Sequence, residues 1–336
     1  MAASALKLPC AATSRDQFAG VVIENRFLCR EHYRLAVRVE ASFPATSPGQ
    51  FIQVSCRDLD RDYSPETEFD WTPGRPLGAA GAELLWPLAL LRRPFSLAGR
   101  RDTPEGVELD IIHRVVGVGT HWLSELKPGD TCHVLGPLGN RFTPPSDDGT
   151  ALLVGGGVGI PPMIYFAQKL AGRKAVVFSG ALTRDLLPLT ITDGATSRAS
   201  TESVEPLFNV DEFARHGIGA VLATDDGSYG FRGFVTQALE RYLDQSLTDT
   251  DRASAVIYTC GPEPMMKRVA DIAISRRLAC QVAVERAMAC GMGTCQSCCI
   301  KVRKPDPSQP PLPGKDWCYR LACTDGPVFA ADQLLW

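Results

Sequence analysis

The sequence lacks an excess of charge of either sign: 35 Lys and Arg stand against 38 Asp and Glu, a formal net charge of −3 over 336 residues. Such a balance carries none of the basic footprint expected for a nucleic-acid or anionic-membrane partner. An uninterrupted apolar run is missing too. The longest mostly apolar stretch, Ala151 to Ala167, is broken by Gly155, Gly156, Gly157, Gly159, Pro161 and Pro162, which suits a strand and a phosphate-type loop rather than a membrane helix. Met1 to Thr13 has no basic start and no long apolar core, so no secretory leader is read there and a cytoplasmic protein is expected. Internal repeats and long low-complexity runs are absent as well. What remains is an ordinary globular composition, 45% hydrophobic and 22% charged, with length for about two domains that bury cores of their own. The one excess is cysteine. Of 12 cysteines, Cys290, Cys295, Cys298, Cys299, Cys318 and Cys323 crowd the C-terminal end. Closely spaced thiols in a reducing compartment bind metal or do redox work more often than they form bridges.

After an N-terminal tail, 1–17, the pattern over 18–146 is mostly β. Tyr33, Leu35, Val37 and Val39 alternate with Arg34, Ala36, Arg38 and Glu40, the period of a strand with one buried face. Further strands are expected over Gly20–Ile23, Phe51–Ser55, Phe95–Ala98, Val107–Val116 and Thr131–Leu135, separated by turn signals such as Pro48-Gly49 and Pro128-Gly129-Asp130. Short strands so punctuated predict a closed antiparallel barrel. An excursion over 57–91 breaks the rhythm, and its Leu84–Leu91 portion reads as a short helix folded back on the barrel or as a contact surface. Over 147–279 the period changes. Ala151–Val154, the helix from Pro161 to Leu170 and Ala175–Phe178 form a β-loop-α-β unit, and Ile218–Ala223, Phe234–Leu243, Ala255–Thr259 and Pro264 to Arg276 continue the alternation of a parallel sheet. The remainder, 280–336, opens on one last strand, Gln281–Val284, and carries the thiols. The fold class expected is thus multidomain, β followed by α/β, with a small cysteine-rich C-terminal domain.

Cys290, Cys295 and Cys298 are separated by four and then two residues, with Gly291 and Gly293 between the first two, which is the plant-type spacing of a [2Fe–2S] cluster. Glycines let the chain wrap closely and present N–H groups to sulfur. Structural zinc ordinarily uses two short-spaced pairs, and only one is evident here. For a fourth ligand, Cys299 adjoins Cys298 and in an extended segment would face away. Cys318 and Cys323 both remain feasible. Cys323 is preferred because Asp325-Gly326-Pro327 makes a turn that would hold it against the cluster loop.

Gly155-Gly156-Gly157-Val158-Gly159-Ile160 ends a strand and opens a helix, so its N–H groups favour a phosphate, although Ile160 stands where a dinucleotide fingerprint has its third glycine. Cys260-Gly261-Pro262 occupies the corresponding place after another strand. Two such loops at one carboxyl edge point to a dinucleotide site. In the first half, Arg93-Pro94-Phe95-Ser96 offers a guanidinium and a hydroxyl, Arg114 lies on another strand, and Gly117, Gly119 and Thr120 precede a helical segment, His121–Leu126, as a second anion site.

In this order, Arg-Pro-Phe-Ser, Val-Gly-Val-Gly-Thr, Gly-Gly-Gly-Val-Gly-Ile-Pro-Pro, Cys-Gly-Pro-Glu-Pro-Met-Met and the final cysteine loop resemble the ferredoxin–NADP reductase superfamily. Within it, Ala223–Gly230, Glu285–Cys295 and Cys323–Phe329 are most similar to the iron–sulfur flavoprotein electron-transfer subunits of NAD-dependent dihydroorotate dehydrogenases. The resemblance implies an FAD-binding barrel over 18–146, an NAD-binding domain over 147–279 and a [2Fe–2S] domain over 280–336. Carried over by position, Arg93, Pro94, Phe95, Ser96, Ile112, His113, Arg114, Gly119 and Thr120 would hold FAD. Gly155, Gly156, Gly157, Gly159, Cys260, Gly261 and Pro262 would hold NAD, with Cys260 near the nicotinamide. Cys290, Cys295, Cys298 and Cys323 would ligate the cluster. It further implies a partner, the FMN-bearing catalytic subunit, with two copies of each chain in a heterotetramer. Electrons from dihydroorotate would pass through the cluster to FAD and on to NAD+, in the synthesis of UMP.

Three departures stand out: His113 replaces a common tyrosine, the 57–91 excursion is extra, and the gap from Cys298 to Cys323 is long. The choice between NAD and NADP stays open, since no acidic residue ends the strand at Phe178-Ser179 while Arg184 and Asp185 are close by. Alternative readings are the same fold serving a hydrogenase, a sulfite reductase or a ferredoxin-linked transhydrogenase, and a zinc-stabilised binding protein without enzymatic activity.

Overall fold

A computed structural model describes residues 15–57, 89, 91–192, 203–303 and 316–336. Among the described residues are six α-helices and fifteen strands, the strands falling in two large sheets and a hairpin. The first sheet is made of β1 (Asp16–Cys29), β2 (His32–Val39), β3 (Phe51–Val54), β4 (Arg93–Thr103), β5 (Gly106–Arg114) and β6 (Thr131–Leu138), with helix α1 (Val118–Glu125) between the last two. It closes in the order β1-β2-β5-β4-β3-β6, every pair antiparallel, as the alternation in β2 leads one to expect. Closure leaves no bare edge. Inward residues such as Leu35, Val37, Ile52, Val54, Leu97, Leu109 and Ile111 are all but inaccessible and form the barrel core.

β1 is longer than its sequence pattern. Its start, from Asp16, pairs with β6 and its end, to Cys29, pairs with β2, so the strand occupies two residues of the expected tail and runs well past Ile23. Two register shifts in the β2 pairing blur the alternation, and Val21 and Phe27 remain exposed. Most of the 57–91 excursion, including nearly all of Leu84–Leu91, lies outside the described residues. Of its end, Ala89 is packed into the barrel core and Leu91 is exposed.

The second sheet comprises β7 (Ala151–Gly156), β8 (Ala175–Ala181), β9 (Gly219–Thr224), β10 (Phe231–Arg232), β11 (Val256–Cys260), β12 (Ala279–Ala283) and β15 (Val328–Ala330), in the order β10-β9-β8-β7-β11-β12-β15. All pairs are parallel except β12 with β15. The helices are α2 (Ile160–Lys169), α3 (Asp211–Ala214), α4 (Val235–Gln245), α5 (Asp249–Ser254) and α6 (Glu263–Ser275). Central strands such as Leu152, Leu153, Val154 and Ile257 are buried on both faces, which accounts for their continuous apolar runs. β12 and β15 extend this sheet, so it continues beyond the division at 279 and 280 read from the sequence. The thiol segment is a loop and a hairpin, β13 (Cys299–Arg303) with β14 (Trp317–Leu321), inserted between those two strands.

Barrel and sheet are joined by polar contacts, one buried and one at the surface. Tyr165 of α2 sits in the barrel core, where its hydroxyl lies 2.7 Å from Thr46 Oγ1 and donates to the Thr46 carbonyl at 3.0 Å. The β1–β2 turn is tied to the loop after β8, with Arg30 N–H donating to the Asp185 carbonyl and the Arg30 guanidinium 3.1 Å from the Asp185 carboxylate. Among the described residues, no helix is long and apolar enough to cross a membrane.

Candidate functional site

The sheet order reverses between β7 and β11, and both glycine-containing loops leave the carboxyl ends of those two strands, where open α/β sheets bind ligands. Cys260 is paired with Gly155 in the ladder. The loops touch backbone to backbone: a Cβ on Gly159 would fall on the Cys260 carbonyl, and one on Gly261 would stand 2.9 Å from the Gly156 carbonyl oxygen. Gly157, in contrast, has a φ of 52° and open space above it. Side chains are therefore excluded on one side by packing, while the other side is free for a phosphate at the start of α2. Cys260 is buried, and burial pushes its thiol up to about 12. Near the neighbouring strand ends, the Arg184 guanidinium lies over the Tyr229 ring at 5.5 Å, and the Arg184 main-chain N–H donates to Ser228 Oγ at 2.8 Å. Asp185 is taken up by Arg30 and Thr183.

The barrel residues expected at a flavin come together at the start of β4, the end of β5 and the start of α1. Leu97 pairs with Ile111, which brings Phe95 and Ser96 alongside Ile112 and His113, and the rings of Phe95 and His113 lie 6.1 Å apart. The Gly157–Gly159 turn abuts β5 and α2 packs along β4, so the two candidate nucleotide sites share a border. Several of these side chains are already engaged within the protein. Arg93 donates to the Leu91 carbonyl at 2.8 Å, Arg114 donates to Glu31 at 2.7 Å, and Thr120 Oγ accepts the N–H groups of Val116 and Gly117 at 2.9 and 3.2 Å. Gly119 is held close to Cys56 and Ala89, where a Cβ would meet theirs at 3.0 and 3.1 Å.

His113 is 1% exposed, stacks on Tyr33 and has no hydrogen-bond partner on either ring nitrogen. Burial holds its pKa down to about 4, opposed in part by the Thr120 main chain, while nearby His32 adds a smaller lowering. This ring is neutral at physiological pH.

The thiol loop is wedged between barrel and sheet. Cys298 and Cys323 are buried in the core that also contains Phe51, Leu135 and Leu138 of the barrel, whereas Cys290 is half-buried and Cys295 exposed. Cys290 Sγ accepts the N–H groups of Met292 and Cys295, both at 3.4 Å. The Ser297 hydroxyl, 3.2 Å from Cys295 Sγ, is the main cause that pulls this thiol down to about 6, followed by main-chain N–H groups and Cys290. Cys323 is pushed up to about 12 by burial first and by the adjacent Cys298 second, while the Gly293 N–H acts in the opposite direction. N–H groups aimed at sulfur are what a thiolate-bound cluster requires. Among the described residues, no three His, Cys, Asp or Glu side chains close to metal-binding distance, so the thiols stand as an open set. Cys318 lies opposite Val302 in the hairpin and Cys299 opposite Leu321.

Asn140 is a residue that sequence reasoning missed. It is buried just beyond β6 and donates to the carbonyls of Asp325 and Val328 at 3.0 and 2.8 Å, while accepting the Val328 N–H at 2.8 Å. The Cys323 turn is thereby fastened to the barrel. Within that turn, the N–H groups of Thr324 and Asp325 converge on the Leu321 carbonyl at 3.2 and 2.8 Å, which places Cys323 in the core beside Cys298. A lone asparagine after a Leu-Gly turn gives no local signal for this long-range role.

A barrel bordering a parallel sheet, with glycine loops at the point where strand order reverses and a cysteine-rich loop and hairpin packed against both, defines a ferredoxin reductase-like electron-transfer protein with an iron–sulfur domain. A solved chain of the NADH-dependent reduced ferredoxin–NADP oxidoreductase has this architecture, with a TM-score of 0.66 and 25% identity over 94% of this chain and 90% of that one. The flavohem-like FAD/NAD-binding domain of a Vibrio cholerae nitric oxide dioxygenase shares the fold, at a TM-score of 0.52 and 17% identity over 78% and 94% of the two chains. Residues 285–335 match the iron–sulfur cluster binding domain of dihydroorotate dehydrogenase B, and residues 153–271 match the oxidoreductase NAD-binding domain. The dihydroorotate dehydrogenase B (NAD(+)) electron transfer subunit of Geobacillus thermodenitrificans is 33% identical over 94% of this chain and 96% of its own. That of Desulforamulus reducens is 34% identical over 86% and 87%. The chain belongs to the family of dihydroorotate dehydrogenase B electron transfer subunits.

Proposed function

We infer that the chain carries electrons from a dihydroorotate dehydrogenase catalytic subunit to NAD+, using a [2Fe–2S] cluster and FAD. The observation that carries this is the meeting of three elements at one place: the strand Arg93–Ser96, the glycine loops at the ends of β7 and β11, and the thiol loop packed on the barrel. When bound, a [2Fe–2S] cluster would supply one-electron transfer and FAD the conversion to the electron pair that NAD+ takes as hydride. The protein's own part is binding and orientation. Arg93, Pro94, Phe95, Ser96, Ile112, His113, Arg114, Gly119 and Thr120 form the flavin site, in which His113 is an uncharged aromatic wall. Gly155, Gly156, Gly157, Gly159, Cys260, Gly261 and Pro262 hold the NAD pyrophosphate and nicotinamide.

Cys290, Cys295, Cys298 and Cys323 ligate the cluster, and the N–H groups of Met292, Cys295 and Gly293 support it. The functional division runs from the barrel, 18–146, through the NAD segment, 147–279, to the cluster segment, 280–336, and the partner joins in a complex of two copies of each chain. The described cysteines are all unbridged, in keeping with a reducing cytoplasm.

Metal and flavin analysis of single thiol variants purified anaerobically tests the ligand set. Cys323→Ser is expected to lose iron and the visible cluster absorption while keeping flavin, and Cys318→Ser is expected to keep both. Iron lost from Cys318→Ser and retained in Cys323→Ser would move the fourth ligand to Cys318. A colourless wild-type protein loaded with zinc would overturn the cluster reading altogether. Mass measurement of the complex with its catalytic subunit tests the two-plus-two assembly, which an equimolar pair of single chains would contradict.

A further inference from the structure

Gln53 lies in β3 between Ile52 and Val54, whose side chains fill the barrel core, so its own side chain leaves the strand on the opposite face. On that face it is nonetheless 1% exposed, and its Oε1 has no hydrogen-bond partner. Its Nε2 reaches the Ala289 carbonyl only at 3.5 Å, a long and weak hydrogen bond. Gly291 presses on the same amide so closely that a Cβ there would stand 2.8 Å from both Cδ and Oε1 of Gln53. Ala289 and Gly291 flank Cys290. In the other direction Gln53 is paired with Pro94, and Val54 with Arg93, in the β3–β4 ladder. One buried amide therefore connects the Arg-Pro-Phe-Ser strand to the main chain on both sides of the first thiol. Apolar packing would fill this place without the penalty of an incompletely bonded amide, so the amide calls for a role.

We propose that Gln53 is a positioning residue for electron transfer, holding the Cys290 arm of the cluster loop against the flavin strand. The inference rests on the assignment of Cys290 as a cluster ligand. Its amide does not react; it fixes how the thiol loop approaches the strand and so sets the coupling between the two groups bound there.

The test uses the full chain purified anaerobically as wild type, Gln53→Ala and Gln53→Met, the last keeping side-chain volume without the amide. Iron and flavin are measured first. Wild-type protein without iron would fail the ligand assignment rather than the role of Gln53. The readouts are the electron paramagnetic resonance spectrum of the reduced cluster, its midpoint potential, and the ratio of cluster bleaching to flavin bleaching on rapid mixing with NADH. Both variants are expected to shift the spectrum and the potential, and to slow the cluster phase relative to the flavin phase. Loss of iron with flavin retained supports the same role more strongly. Wild-type behaviour of both variants would overturn the proposal. So would full rescue by Met, which would make volume alone responsible, or loss of both cofactors with a lowered melting temperature, which would make the residue merely structural.

Discussion

His113 shows what a single residue contributes to this site. A neutral imidazole enclosed by Tyr33 and Phe95 serves as an aromatic wall, and burial holds its pKa down to about 4. The unfolded chain takes up this proton near pH 6.5, so between about pH 6.5 and 4 the unfolded state binds more protons and the folded state loses stability as pH falls. The full loss attributable to His113 is about 3 kcal/mol. His113→Phe should therefore flatten the dependence of denaturation free energy on pH within that window, leaving a smaller slope from His32, whose pKa burial also lowers. An unchanged slope would show that the ring is solvated. The sequence made this position visible only as a departure from tyrosine, because burial depends on β2 and β4 closing around it. Asn140 and Gln53 gave no signal at all, since their partners are far away in the chain. The thiols were legible because their chemistry is written in local spacing.

Among the elements, the two glycine loops make the sharpest contrast. Gly159 is small because the Cys260 carbonyl occupies the place of a side chain, and Gly157 is small where nothing in the protein does. Gly159→Ala should lower stability by about 1–3 kcal/mol, measured by denaturation, through forced separation of β7 and β11 loops. Gly157→Ala places a Cβ at a positive φ in the open space over α2, at a cost of about 1 kcal/mol. Its larger effect should be a raised KM for NADH in flavin reduction with little change in melting temperature. If Gly157→Ala left KM unaltered, the phosphate would lie elsewhere. Strand and helix periods were readable in most of these elements, as the alternation of β2 and the apolar run of β7 show. Less was readable where pairing is divided or late. β1 serves two partners and blurs its own alternation, and β15, three residues long, becomes a strand only through the edge offered by β12.

For the whole molecule, the decisive feature is that the thiol segment of the C-terminal iron–sulfur domain, a loop and a hairpin, lies between two strands, β12 and β15, that extend the NAD-binding sheet. β12 leads into it, β15 returns from it, and Asn140 and Gln53 attach it to the barrel. The exposed Cys295 end of the loop thus lies where all three parts meet. The family resemblance carried the order of the parts, while their mutual attachment came only from the structure. Electrons from a dihydroorotate-oxidising subunit pass through this chain to NAD+. The most direct measurement is anaerobic co-purification with that catalytic chain, followed by assay of NAD+ reduction on addition of dihydroorotate. A stable complex is expected, in which NADH appears only when both chains and dihydroorotate are present and in which Cys323→Ser abolishes NADH formation. A complex that forms and yields no NADH, or chains that do not associate, would contradict it.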